Sequence, residues 1–514
     1  MDITRSVSEG IKVWLCGGAL LLALAWAWLP RRAARGLLVS LLVIATANYA
    51  RFGFKLPFRQ VDTYDLIHYY LNAKYFDELG YFDLYPACIL ADHEAGGPFF
   101  KEGSKFLDQD ESGHHVAPIS VALEEGQVVR AQKFTPERWA QFSHDFLFLQ
   151  REVPGLNSEL WRQLIQDHGF NGTTAWVLEA LPFSAVPVEW IKTLGYLDCV
   201  WIALALAAVF WAWDLNTALW GALFLMLTYS CRWPTITWAF FRYDYVSMLI
   251  IGMASLRKGR PVLAGLVTGW SATLRFFPAM WLYGPAMKGL FGLLQRKVHR
   301  PLLRLALGFA LGVGVWQGAA TAVFGVDAVR THFENMADHN KSENLSSRRI
   351  GLALALPFRG DLLPKAITKE KKRVIEDQKP LRFAIAGLVM VVLGWGLRNR
   401  RNEEAFAYGF LPFFLLTTAS YYYYVARWTL WVLHAGAVCK PEGGESRARH
   451  AVGLAMLAGA ELFTNHAEVN YPDHRVYLIG GLSWILLGYS VVMTVWVVIE
   501  SHTLGRFRNS TAGA

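Results

Sequence analysis

The chain has 514 residues, 54% hydrophobic and only 18% charged, against roughly 25% charged in soluble domains. Fifty Lys and Arg against 41 Asp and Glu leave a net +9, and mean hydropathy is +0.26. This excludes a soluble globular protein, and a charge sum by itself is no sign of nucleic acid. Hydrophobic stretches recur from Trp14 to Val498, so the chain is neither a single anchor nor a soluble domain behind a cleaved signal. The five cysteines are scattered without a CxxC pair, which argues against a disulfide framework. The expected class is an all-α polytopic membrane protein.

In chain order, residues 1–50 read as an amino-terminal transmembrane hairpin, with apolar stretches at 12–29 and 36–50. Residues 51–193 form a long polar segment with roughly 20 acidic and a dozen basic residues. Within it, Leu66, Tyr69, Tyr70, Ala73, Phe76 and Leu79 recur at helical spacing and Gly80 is a natural stop, so a helix is expected to start near Asp62 to Asp65. Residues 194–324 form a transmembrane core, 325–381 a second polar segment, and 382–514 the carboxyl-terminal helices. The total is roughly 13 transmembrane or re-entrant stretches, some shorter than the roughly 20 residues a crossing needs. The two flanking Arg275-Phe276-Phe277-Pro278 read as a broken pair.

If all the stretches cross, six basic patches share one side: Arg31 to Arg35, Arg257 to Arg260, Lys288 to Arg304, Arg398 to Arg401, Lys440 to Arg449, and the tail. By the positive-inside rule that side is cytoplasmic, which puts 51–193 and 325–381 outside. The first outer segment is then expected to fold as a helical extracytoplasmic cap. No internal repeat is visible.

Chemistry is expected where ionisable residues meet these outer span ends. Asp62 and Asp65 sit at the helix start, either as cap and solvated acid or as a general base at the membrane lip. Arg275 is costly between apolar stretches unless it meets a cavity, a partner or an anionic headgroup, and its guanidinium suits a phosphate. Arg232, Arg242 and Asp244 flank an aromatic run, and Tyr422 and Tyr423 lie in a four-tyrosine run ahead of Arg427. An interfacial ion pair and an aromatic belt would account for both runs; so would the walls of a substrate cavity. His332, Glu334 and His339 belong to a polar cluster that continues to Arg348 and Arg349. The histidines of the first outer segment show no HExxH-type spacing, so no metal ligand is assigned, though a divalent metal is not barred. Asn171-Gly172-Thr173 reads as a turn.

The pattern Asp65-x3-Tyr69-Tyr70-x2-Ala73-x6-Gly80-x4-Tyr85 resembles the first outer loop of GT-C superfamily glycosyltransferases. The segment from Arg257 through Gly265 and Gly269 to Leu274-Arg275-Phe276-Phe277-Pro278 is similar to the bacterial branch that uses polyprenyl-phosphate sugars, commonly mannose, where lysine is usual at the position of Arg275. The resemblance implies an enzyme of the bacterial cytoplasmic membrane with its site facing outward. A polyprenyl-phosphate donor would give its sugar, with inversion, to a hydroxyl of a glycan, lipid or protein acceptor. Asp65 or Asp62 would be the base, Arg275, Arg242, Arg232 and Arg427 the candidates for the donor phosphate, and Tyr69, Asp244, His332, Glu334, His339, Tyr422 and Tyr423 substrate contacts. No firm cofactor and no nucleic acid is implied; membrane lipids are. Two other classes compete: a membrane acyltransferase or polysaccharide ligase or polymerase with a histidine base such as His332 or His339, and a transporter.

Overall fold

The computed structural model describes residues 5–52, 66–97, 103–110, 113–152, 164–167, 169–231, 240–339, 348–360, 369–441 and 446–511. These are overwhelmingly helical. Among the described residues the strands form two short antiparallel ladders, Lys105–Asp110 with Gly113–Pro118 and Arg349–Ile350 with Ala419–Ser420.

Among the described residues four helices are long and apolar enough to cross a bilayer: Ser6–Ala25, Arg300–Ala337, Lys379–Leu397 and Arg475–Ser501. Along Arg300–Ala337, Leu303, Leu307, Leu311 and Val315 recur every fourth residue and are 59%, 57%, 46% and 63% exposed. A stripe of large apolar side chains facing outward suits lipid rather than water. Leu197–Ala212, Leu215–Leu227 and Pro261–Leu274 are apolar but shorter. The 405–419 stretch is not one helix but Asn402–Ala407, Phe410–Leu416 and the strand Ala419–Ser420. Gly409 marks the first break, where a Cβ would fall 2.2 Å from Trp281 Cα.

Glycines determine how the middle of the bundle packs. Gly265 and Gly269 on Pro261–Leu274 face Gly308 and Gly312 on Arg300–His339. A Cβ on Gly265 would lie 2.1 Å from the Leu305 carbonyl oxygen, and one on Gly308 2.1 Å from that of Val262. Two glycine pairs at spacing four thus bring the backbones into direct contact. The longer helix breaks at Gly325 (φ 82, ψ 165), so residues beyond it leave the original axis.

Residues 66–194 build a second apolar core, around Tyr70, Phe142, Phe146, Phe170 and Trp176, which Phe240, Phe241 and Leu274 also join. The single helix expected from Asp65 to Gly80 is instead a π-turn, Leu66–Leu71, followed by Asn72–Lys74 and Phe76–Leu79. Tertiary contacts override the local period: Lys74 is ion-paired to Asp145 at 2.7 Å, and the Tyr75 hydroxyl donates to the same carboxylate at 2.8 Å. Gly80 does end the run, at φ 51.

The far end of the bundle is a knot of charge. Arg449 Nη2 lies 2.7 Å from Glu404 Oε1, and Glu500 Oε2 is 2.9 Å from Arg400 Nη1 and 3.1 Å from Arg449 Nε. Arg257 Nη1 reaches Glu403 at 3.3 Å and its Nε donates to the Ala212 carbonyl. Lys288 Nζ donates to the Arg400 carbonyl at 2.6 Å, and Arg35 Nε to Asn216 Oδ1 at 2.8 Å.

Candidate active site

The glycine contact holds Pro261–Leu274 rigidly up to Leu274. Arg275 then turns extended (φ −148, ψ 129), ahead of the 3-10 turn Phe277–Leu282. This is the break expected from the sequence. The half-buried Arg275 guanidinium donates from Nη1 to the Leu274 carbonyl at 2.8 Å, and its carbon lies 5.9 Å from the ring centroids of both Tyr69 and Trp176. Cation–π contacts at that range hold the charge over aromatic faces while leaving N–H donors available.

Arg275 opens onto a cleft of about 240 Å³. Its lining mixes apolar Leu274, Phe276, Phe277, Met280, Met336 and Phe413 with polar Asn171, Thr173, His332, Arg349, Tyr422 and Tyr423. A smaller hollow of about 20 Å³ shares Arg275, Tyr422 and Tyr423 with it and adds Tyr69, Phe240, Phe241 and Arg242. Arg242 lies 4.9 Å over the Tyr422 ring, and Asp198 fixes its backbone by accepting the Arg242 and Tyr243 amides, each at 2.9 Å.

Local capping orders part of the polar lining. Thr173 Oγ1 accepts the Trp176 amide at 2.9 Å and starts the helix Thr174–Ser184. Two residues earlier, Asn171 Oδ1 accepts the Tyr69 hydroxyl at 2.6 Å. Burial pushes the Tyr69 phenol well above its ordinary range, so it stays a neutral donor. His332, only 3% exposed and beyond the Gly325 break, has its ring 5.4 Å from Phe276 and 5.7 Å from Tyr81.

No protein-family model matches the chain, and no curated protein or solved structure matches it either. The site therefore stands on its own geometry.

Of the residues singled out from sequence, the two hollows collect Tyr69, Arg242, Arg275, His332, Tyr422 and Tyr423. Asp244 is fully buried next to them, beginning the helix Asp244–Arg257. Its Oδ1 accepts the Tyr245 amide at 2.6 Å, and it lies within electrostatic reach of Arg275 without lining either hollow. Glu334 is elsewhere, exposed and ion-paired to Arg330 at 2.8 Å. Arg427 is also elsewhere, completely buried against Glu461 at 3.0 Å and donating to the Tyr424 carbonyl. Asp62, Asp65 and Arg232 lie outside the described residues, as does the His339 side chain. Among the described residues no group of three or more His, Cys, Asp or Glu could hold a metal.

Two wall residues were not singled out as ligands. Asn171 read as a turn. Arg349 was one member of a polar run, and its partners are far along the chain: Nη1 donates to the Thr418 carbonyl at 3.1 Å, and the flanking backbone is tied down by Tyr421 N–H to Arg348 O and Tyr424 O–H to Ile350 O.

Proposed function

We propose that this chain is an integral-membrane glycosyltransferase of GT-C type, with roughly 13 transmembrane or re-entrant helices and a cap outside the bacterial cytoplasmic membrane. It moves a hexose or pentose, mannose being the leading candidate, from a polyprenyl-phosphate donor to an acceptor hydroxyl on a glycan, lipid or protein. The observation that carries this reading is the cleft itself, which Arg275 lines together with apolar, aromatic and polar side chains. A guanidinium suits phosphate oxygens, the apolar lining residues suit an isoprenoid chain, and Tyr422 and Tyr423 suit a sugar face.

In the proposed reaction Asp65, or Asp62, removes the acceptor hydroxyl proton. The freed oxygen attacks the anomeric carbon, and the phosphate leaves against Arg275. A single displacement inverts the anomeric configuration. Tyr69, four residues after Asp65 in the sequence, lines the smaller hollow beside Arg275, which agrees with a base nearby. A membrane acyltransferase or polysaccharide ligase is the second reading, favoured by His332 in the cleft wall. Incubating the purified protein in lipid with a panel of polyprenyl-phosphate sugars separates them: glycosyl transfer releases polyprenyl phosphate, and acyl transfer releases none.

A further inference from the structure

Next to the cleft lies a buried polar network that the proposed reaction does not use. The 3-10 turn Tyr421–Arg427 carries Tyr422 and Tyr423 into both hollows, while Tyr421 and Tyr424 on either side of them are buried. Each flanking carbonyl is anchored: Ser230 Oγ donates to Tyr421 O at 2.8 Å, and Arg427 Nε to Tyr424 O at 3.0 Å. The same guanidinium, completely buried, donates from Nη2 to Ser230 Oγ at 3.2 Å and lies 3.0 Å from Glu461 Oε1. Glu461, on the helix Arg447–Asn470, is buried too and accepts the Thr228 hydroxyl at 3.1 Å and the Tyr229 amide at 2.9 Å. The two tyrosines of the cleft thus stand between two anchored carbonyls, and both anchors trace back to one buried ion pair.

Resting on the glycosyl transfer proposed above, we infer that Arg427 and Glu461 are positioning residues for the donor's sugar, acting through Tyr422 and Tyr423 and not on the phosphate. A buried ion pair gains little stability over well-packed apolar side chains, because desolvation offsets the attraction. What this pair supplies is a fixed geometry: each member holds groups that hold the turn, so the network specifies one placement of the two rings. Tyr422 and Tyr423 lie against each other with centroids 4.5 Å apart, and Tyr423 is packed 5.2 Å from Phe277. Neither Arg427 nor Glu461 lines either hollow, so neither meets the donor directly. Arg275 owes its place to the end of the helix Pro261–Leu274 and not to this network. Recognition is thereby divided: sugar affinity depends on the Arg427–Glu461 pair, and phosphate affinity does not.

The test uses the full-length protein in lipid nanodiscs and two probes: the polyprenyl-phosphate sugar that the wild type turns over in the panel above, and polyprenyl monophosphate, which lacks the sugar. The paired variant Arg427→Met with Glu461→Leu leaves no unpaired charge in the core, so it should melt near the wild type. It should bind the sugar-bearing donor about tenfold more weakly, with binding of the monophosphate nearly unchanged. Arg427→Lys keeps a cation for Glu461 but has no planar fork to reach Ser230 and the Tyr424 carbonyl together, and should show a smaller loss of the same kind. Adding the paired change to Tyr422→Ala with Tyr423→Ala should cost no further sugar affinity, since the pair acts through those rings. A paired variant that melts and binds the sugar-bearing donor like the wild type overturns the inference, because the ion pair is then structural only. Equal losses of both probes overturn it, as does a loss that adds to that of the tyrosine variants; the glycosyltransferase reading survives all three. Where the paired variant does not fold, Arg427→Lys decides, and a wild-type preference between the two probes overturns the inference. A wild type that binds and cleaves no polyprenyl-phosphate sugar removes the reading itself.

Discussion

In the proposed reaction Arg275 and the acids Asp62 and Asp65 would have different duties, and substitution separates them. Loss of a charge-assisted hydrogen bond costs about 1.5 to 3 kcal/mol, so Arg275→Ala should weaken donor binding at least tenfold in a binding assay on folded protein, and Arg275→Lys less. Unchanged affinity removes Arg275 from the phosphate site. Asp65→Asn keeps the side chain's shape but cannot take a proton. It should retain expression and donor binding while turnover falls roughly 100-fold to 10,000-fold. Asp62→Asn, at the position that the sequence reads as a helix cap, should cost about 1 kcal/mol of stability and little rate. Reversed outcomes move the base to Asp62, and full activity in the double variant ends the outer-acid mechanism. At this scale the sequence was informative where a charge interrupts apolar chain: Arg275 and Arg242 both reach the hollows. It could not separate them from Arg427 and Glu334, which look alike in sequence but are satisfied by Glu461 and Arg330. Arg349 escaped because its aim depends on Thr418, 69 residues away.

Among elements, the glycine contact between Pro261–Leu274 and Arg300–His339 governs where Arg275 stands. Glycines at spacing four are visible in both segments, but which pair faces which is settled only by packing. A Cβ on Gly269 would lie 2.4 Å from the Phe309 carbonyl oxygen, a backbone atom that cannot rotate away. Gly269→Leu should therefore force the helices apart at a cost of about 1 to 3 kcal/mol or more, and because the helix ends one residue before Arg275, donor binding should fall with it. Gly314, on the partner helix, has nothing within 4 Å of a Cβ, so Gly314→Ala should be neutral or stabilise by up to about 1 kcal/mol through helix propensity. Thermal unfolding in detergent compares the two. Equal melting temperatures would mean that this contact does not set the bundle's geometry. The expected 65–80 helix makes the complementary point: Ile67, His68, Asn72, Lys74 and Tyr75, off the apolar period, are buried too, and the run is broken where Lys74 and Tyr75 contact Asp145.

Across the whole molecule, the parity of basic patches in the sequence becomes physical proximity. Arg257, Lys288, Arg400 and Arg449 meet through Glu403, Glu404, Glu500 and the Arg400 carbonyl. Arg35 joins through Asn216, close in the chain to the Ala212 carbonyl that Arg257 holds. Patches in contact share a membrane side whatever the number of crossings. Asp244 and Leu274 stand at the other ends of the two 14-residue helices that begin or finish at this knot, which sets the cleft about 20 Å from it. If the positive-inside rule fixes the knot as cytoplasmic, the cleft opens toward the opposite side, where a lipid-linked donor and an external acceptor would meet. Single cysteines placed at Lys258, Lys297 and Glu137, all exposed, test this in a cysteine-free background, which also removes the exposed native Cys199. A membrane-impermeant thiol reagent added to intact cells should label position 137 and leave 258 and 297 unlabelled until the membrane is opened. Labelling of 258 or 297 from outside, with 137 protected, inverts the orientation and moves the cleft to the cytoplasm. The nucleotide-activated sugars available there would then become the donors to test.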